Sequence, residues 1–139
     1  MAISQCPECG AIYSQELSCW DVLGLIIAWE YADADLLREH FLTVASYNFQ
    51  HPTQFTDTAL VSLWSAYTEY LDNQLALAEI RRRVGQAHQG ATRVLKPAAE
   101  RSPSLRRWTM TIADVYDGGQ AEGAAERVRA WARSIRDER

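Results

Sequence analysis

The sequence predicts an all-α protein, a small helical bundle of about five to six helices. Three observations predict it. Apolar side chains recur at three-to-four-residue spacing through most of the chain; Ser, Thr or Asp precedes several of those runs while Gly or Pro follows them; and no alternating run of strand length or internal repeat is present. Length and balance agree: 139 residues, 47% apolar and 23% charged, suit a single domain over 1–139 with one core.

Each element has its own signal. Residues 1–18 hold a Cys-Pro-Glu-Cys-Gly segment. Ser18 then caps a helix whose third residue is Asp21, and Trp20, Leu23, Ile27 and Tyr31 keep helical period, which predicts a first helix over about 19–31. The polar link Ala32 to Asp35 leads into a second helix through Leu37, Phe41, Val44, Ala45 and Asn48. It stops at about Gln50, because His51 precedes Pro52 and is pushed out of the α region. Thr56 or Asp57 caps a third helix through Leu60, Leu63, Trp64, Tyr67 and Leu71, and Asp72-Asn73 either breaks it or starts a fourth helix to about His88. Within Gly85 to Pro103 fall two glycines and two prolines, so residues 89–110 read as an irregular basic segment. Thr111-Ile-Ala-Asp opens a short helix that Gly118-Gly119 ends, and Ala124, Val128, Trp131, Ala132 and Ile135 stripe the last one.

Composition narrows the function classes. The longest apolar run, Val22 to Trp29, is far short of the roughly 18 residues of a membrane span, and Met1 to Gly10 lacks the basic and apolar regions of a secretory leader. A cytoplasmic protein with no membrane partner is expected. The net charge of −4 hides an uneven spread: residues 1–75 carry ten acids and one base, residues 76–139 thirteen bases and eight acids. Intramolecular neutralisation, contact between subunits and an anionic partner are the three uses for such an asymmetry. Thirteen of the fourteen bases are arginine, which fits a GC-rich bacterial genome.

Three cysteines cannot all pair within one chain, and a reducing compartment favours thiolates on a metal. Cys6-Pro-Glu-Cys9-Gly is a zinc-knuckle sequence, in which two thiolates two residues apart grip one ion and a small residue lets the backbone turn toward the sulfurs. It supplies half of a four-ligand structural site. Cys19, His40, His51 and His88 are the remaining candidates. If the first two helices pair as an antiparallel hairpin about residue 33, a rise of about 1.5 Å per residue offsets His51 from Cys19 by roughly 6 Å and His40 by roughly 10 Å the other way. Helix polarity agrees, since Cys19 opens a helix whose dipole favours a thiolate and His51 closes one whose dipole favours a cation. One structural zinc per chain is therefore expected on Cys6, Cys9, Cys19 and His51, with His40 the alternative fourth ligand. His40 otherwise reads as a buried, hydrogen-bonded histidine and His88 as a solvated one.

Cys6-Pro-Glu-Cys9-Gly, Ser18-Cys19-Trp20, the run from His40 to Tyr47 leading into Gln50-His51-Pro52, Thr111 to Val115, and Trp131-Ala132-Arg-Ser134 together resemble an uncharacterised bacterial family, domain of unknown function 5946. The resemblance spans nearly the whole chain. It departs at Ala45-Ser46, where relatives often carry Asp, and in the longer, more basic stretch Arg93 to Arg107. It implies a small, mostly helical, metal-binding protein and brings no activity with it.

Four protein ligands close a zinc coordination sphere and leave no position for substrate. The leading expectation is thus a non-enzymatic, zinc-stabilised helical module that acts through protein contacts. Its partner surface is the basic set Arg81, Arg82, Arg83, Arg106 and Arg107, suited to self-association or to an acidic protein. A metal-dependent enzyme is the alternative if only three protein groups bind, with water in the fourth position and Glu16 or Glu30 as base. The chain holds no HExxH, no readable nucleophile pair and no glycine-rich phosphate loop, so no catalytic residue or small-molecule substrate is assigned. Nucleic-acid binding through Arg81 to Arg107, with eight bases and one acid, is a third reading, which the acidic remainder of the chain opposes.

Overall fold

A computed structural model describes residues 3–73, 78–82 and 95–139. The described chain is mostly helical, and it divides into two compact units: residues up to Gln50 together with Ser104–Arg139, and His51–Pro103.

The first unit opens with a two-stranded antiparallel ribbon, β1 (Ser4–Gln5) and β2 (Ile12–Tyr13), with Ser4 opposite Tyr13 and Gln5 opposite Ile12. Strands of two residues are too short for an alternating pattern to register, which is why the sequence predicts none. Helix α1 (Cys19–Trp29) begins with the expected capping box: Ser18 Oγ accepts from the Asp21 amide and the Asp21 carboxylate accepts from the Ser18 amide, both at 3.0 Å. Those bonds hold the Asp21 carboxyl below its ordinary range. The helix closes at Glu30, and a turn carries the chain to Asp33.

The single helix expected up to Gln50 is two, α2 (Ala34–Arg38) and α3 (His40–Gln50). Asp33 caps α2, its Oδ1 accepting from the Asp35 and Leu36 amides at 3.1 Å each. The break falls at Glu39 (φ −95°, ψ 12°), whose carboxylate lies 3.6 Å from Arg129. One irregular residue leaves the apolar residues on the same face, so spacing alone passes over it.

Helix α5 (Ile112–Tyr116) has the second expected capping box: Thr111 Oγ1 accepts from the Ala113 amide and the Asp114 carboxylate accepts from the Thr111 amide at 2.8 Å. Asp117 (φ 48°), Gly118 (φ 64°) and Gly119 (φ 98°) end it in the left-handed region, where glycine carries no Cβ penalty. Arg127 reaches back and donates to the carbonyls of Val115, Gln120 and Glu122, satisfying acceptors that a helix end leaves open. Helix α6 (Ala124–Glu138) buries Ala124, Val128, Trp131, Ala132 and Ile135, the stripe read from the sequence, together with Ala125. It packs on α2, α3 and α5, and α1 packs on α3 and α5. Trp29 of α1 stacks on Tyr116 of α5 with ring centroids 5.9 Å apart.

The second unit runs from His51 through a 3-10 turn, Pro52–Gln54, into α4 (Asp57–Asn73). The Ala59 amide donates to Thr56 Oγ1 at 3.3 Å, so Thr56 is the capping residue. Leu60, Ala66, Tyr67 and Leu71 are buried, whereas Leu63 and Trp64 are half-buried. Phe55 and Leu95 form an isolated antiparallel bridge beside the bond from the Lys96 amide to the Gln54 carbonyl. Residues 78–82 are helical; whether 57–88 is one helix or two, and the placement of Arg83 and His88, lie outside the described residues.

Candidate metal centre

Cys6 and Cys9 stand on the turn that joins β1 to β2. The Cys6 amide donates to the Ala11 carbonyl at 2.8 Å and the Gly10 amide to the Cys6 carbonyl at 3.0 Å. Gly10 completes the turn at φ +79°, where a Cβ would be strained and would press on Leu105 Cδ1 at 3.4 Å. The Arg106 amide donates to the Glu8 carbonyl at 2.8 Å, tying the turn to the chain that returns before α5.

Cys19 is the first residue of α1, placed by the Ser18 cap. His51 directly follows α3, and its neighbour Gln50 fixes the end of that helix. Gln50 is 1% exposed; its Oε1 accepts from Trp131 Nε1 at 3.1 Å and its Nε2 donates to the Met110 carbonyl at 2.7 Å.

These elements bring together Cys6, Cys9, Cys19 and His51, with one ligating atom from each lying within 4.8 Å of all the others. Cys9, Cys19 and His51 are buried residues, while Cys6 keeps part of its surface in solvent. Cys9 Sγ and Cys19 Sγ are 3.6 Å apart. Tetrahedral bonds of about 2.3 Å to zinc place sulfurs about 3.8 Å apart, so this pair already has ligand spacing. Three thiols and one imidazole form a soft donor set that fits a thiophilic divalent ion and is wrong for calcium or magnesium, which take oxygen ligands.

The Cys19 thiol is pushed up to about 12, chiefly by its hydrogen bond with Cys6 and by burial, against the pull of its bonds with Cys9 and Tyr13. Buried sulfurs this close hold their protons unless a cation replaces them, and a bound cation reverses that preference.

Sequence reasoning did not single out Tyr13. Its hydroxyl lies 3.1 Å from Cys19 Sγ. Burial, then the bond to Cys19, pushes the phenol far above its ordinary range, so it stays protonated and is able to donate to Cys19 Sγ when that sulfur is a thiolate. The one available signal was its nearness in the chain to the cysteines, four residues after Cys9 and six before Cys19. Tyr47 on α3 is pushed up too, by burial and then by the Cys19 charge.

His40 is not part of this group. Expected to be buried, it is half-exposed, and its Nδ1 contacts both carboxylate oxygens of Glu30 at 2.8 and 2.9 Å. The break at Glu39 starts α3 at His40, where its ring meets the end of α1. Glu30, one of the two bases considered for an enzyme, is thereby engaged, and Glu16 is exposed. An open groove of about 390 Å³ beside the ribbon, lined by residues such as Ile3, Ile12, Leu17 and Tyr116, has no carboxylate, histidine or cysteine in its lining.

Of the arginines of the expected partner surface, Arg81 and Arg82 belong to the second unit and Arg106 and Arg107 to the first. Arg81 and Arg82 are exposed on the 78–82 helix, where Arg82 pairs with Glu79. Arg106 lies over the Trp108 ring at 3.8 Å and donates to the Glu138 carbonyl, and Arg107 is exposed. No helix among the described residues is long and apolar enough to cross a membrane.

A family model described as "Family of unknown function (DUF5946)" matches residues 4–139. No curated protein and no solved structure matches the chain.

Proposed function

The chain belongs to the DUF5946 family of unknown function, and from its own residues we propose that it is a zinc-stabilised helical module that acts through protein contacts. The observation that carries this reading is the approach of three thiols and an imidazole to within 4.8 Å of one another. Four protein donors complete a tetrahedral zinc sphere, which makes the ion structural: it pins the Cys6 to Gly10 turn to the start of α1 and the end of α3. A ribbon of two-residue strands has little stability alone, and metal binding energy becomes folding energy. Large apolar side chains at the surface of the same unit, among them Ile3, Ile12, Trp20 and Tyr31, support action through contacts with another macromolecule.

The test is thermal unfolding of the purified chain with and without a zinc-selective chelator. The proposal expects chelation to lower the melting temperature by many degrees and zinc to restore it. A melt that chelator leaves unchanged contradicts it.

A further inference from the structure

Helix α1 is apolar on nearly every side. Cys19, Val22, Leu23 and Ile26 face the core. The opposite side presents Trp20, Gly24, Leu25 and Ala28, continued just past the helix end by Tyr31, and Asp21 is its one charge. At about 100° per residue, Trp20 and Gly24 fall within about 40° of one another, and Ala28 and Leu25 extend the sector to about 140°. Trp20 is 67% exposed, Leu25 41% and Tyr31 93%. A helix apolar all round is one that is covered on both sides. Helix α6 of the same unit is the contrast, since its exposed residues include Glu126, Arg133, Arg136 and Asp137.

Shape and charge narrow the occupant. A Cβ at Gly24 would meet nothing within 4 Å, so the middle of the face is low and open, and the Trp20 ring leans on Tyr47 with centroids 6.1 Å apart. A second helix can lie close to such a surface between bulky ends. No Lys or Arg precedes Arg38 in the chain; Asp21 is exposed on the helix and Glu16 just before it, whereas Asp35 pairs with Arg38 and Arg129. Packing this face on its own copy would set like charges together. We infer that the exposed side of α1 docks a basic amphipathic helix of another protein, apolar along one stripe and flanked by Lys or Arg. This inference rests on the protein-contact reading above and is independent of the metal.

The probe is a pair of synthetic helical peptides with one shared leucine stripe, flanked by lysine in the first and glutamate in the second. Each is titrated into the full chain as purified and followed by fluorescence anisotropy and hydrogen exchange. The lysine peptide should bind at least about tenfold more tightly than the glutamate peptide, protect residues 19–31, and weaken as salt rises. Leu25→Asp, and separately Trp20→Ser with Tyr31→Ser, should each weaken that binding at least about tenfold while metal content and melting temperature stay put. Equal binding of both peptides, no binding, indifference to both variants, or a dimer in sedimentation that Leu25→Asp dissolves would overturn the inference. Binding by a chain found to carry no metal would support it while sinking the zinc reading, so the two fail separately.

Discussion

Replacing Gln50 with Leu probes how the end of α3 is held. The side chain is 1% exposed and makes two bonds, accepting from Trp131 Nε1 at 3.1 Å and donating to the Met110 carbonyl at 2.7 Å. Leucine fills similar space, so packing is nearly kept and the polar loss is isolated. Trp131 is fully buried, and its indole N–H would be left without that acceptor; the Met110 carbonyl would lose a donor. The unsatisfied buried indole costs roughly 1–3 kcal/mol and the part-buried Met110 carbonyl about 1 kcal/mol more, so the expected loss is about 2–4 kcal/mol. With a urea dependence of about 2 kcal/mol per molar, the unfolding midpoint should fall by about 1–2 M. Tryptophan fluorescence during urea unfolding of zinc-loaded protein reads it. A loss below about 0.5 kcal/mol would refute the idea that Gln50 organises this junction.

Other substitutions test the remaining steps. His51→Ala should lose zinc or bind it far more weakly, whereas His40→Ala should retain full metal content and lose only its bond to Glu30; metal analysis after dialysis decides between them. Tyr13→Phe removes the hydroxyl 3.1 Å from Cys19 Sγ and should weaken zinc binding about 10- to 100-fold in competition with a chromophoric chelator, the scale of lost bonds to metal ligands. Thr111→Ala removes the α5 cap and should cost about 1 kcal/mol in chemical denaturation with metal content unchanged.

Legibility in the sequence followed the physics of each signal. The α1 and α5 starts could be read because Ser18 with Asp21 and Thr111 with Asp114 are local pairs, three residues apart, whose meaning needs no tertiary context. The α6 stripe was readable because all of its apolar residues face one core. His51 could be preferred over His40 from helix rise and the Pro52 stop, although the reasoning assumed one unbroken second helix. The Glu39 break was hidden because it preserves the apolar face, and with it the exposure of His40 and its pairing with Glu30. Tyr13 and Gln50 were missed because their roles depend on partners distant in the chain or in another element: Tyr13 on Cys19, Gln50 on Met110 and Trp131. Neither leaves a periodic trace. The bareness of one side of α1 was equally invisible, since an apolar helix reads as core until its neighbours are placed.

The central claim is a closed zinc site made of Cys6, Cys9, Cys19 and His51. X-ray absorption at the zinc edge, combined with metal stoichiometry on the purified chain, tests it most directly. One zinc per chain with three sulfur ligands at about 2.3 Å and one nitrogen at about 2.0 Å is the expected result. A first shell containing oxygen from water and fewer than four protein donors, or a chain that purifies folded without metal, would contradict it.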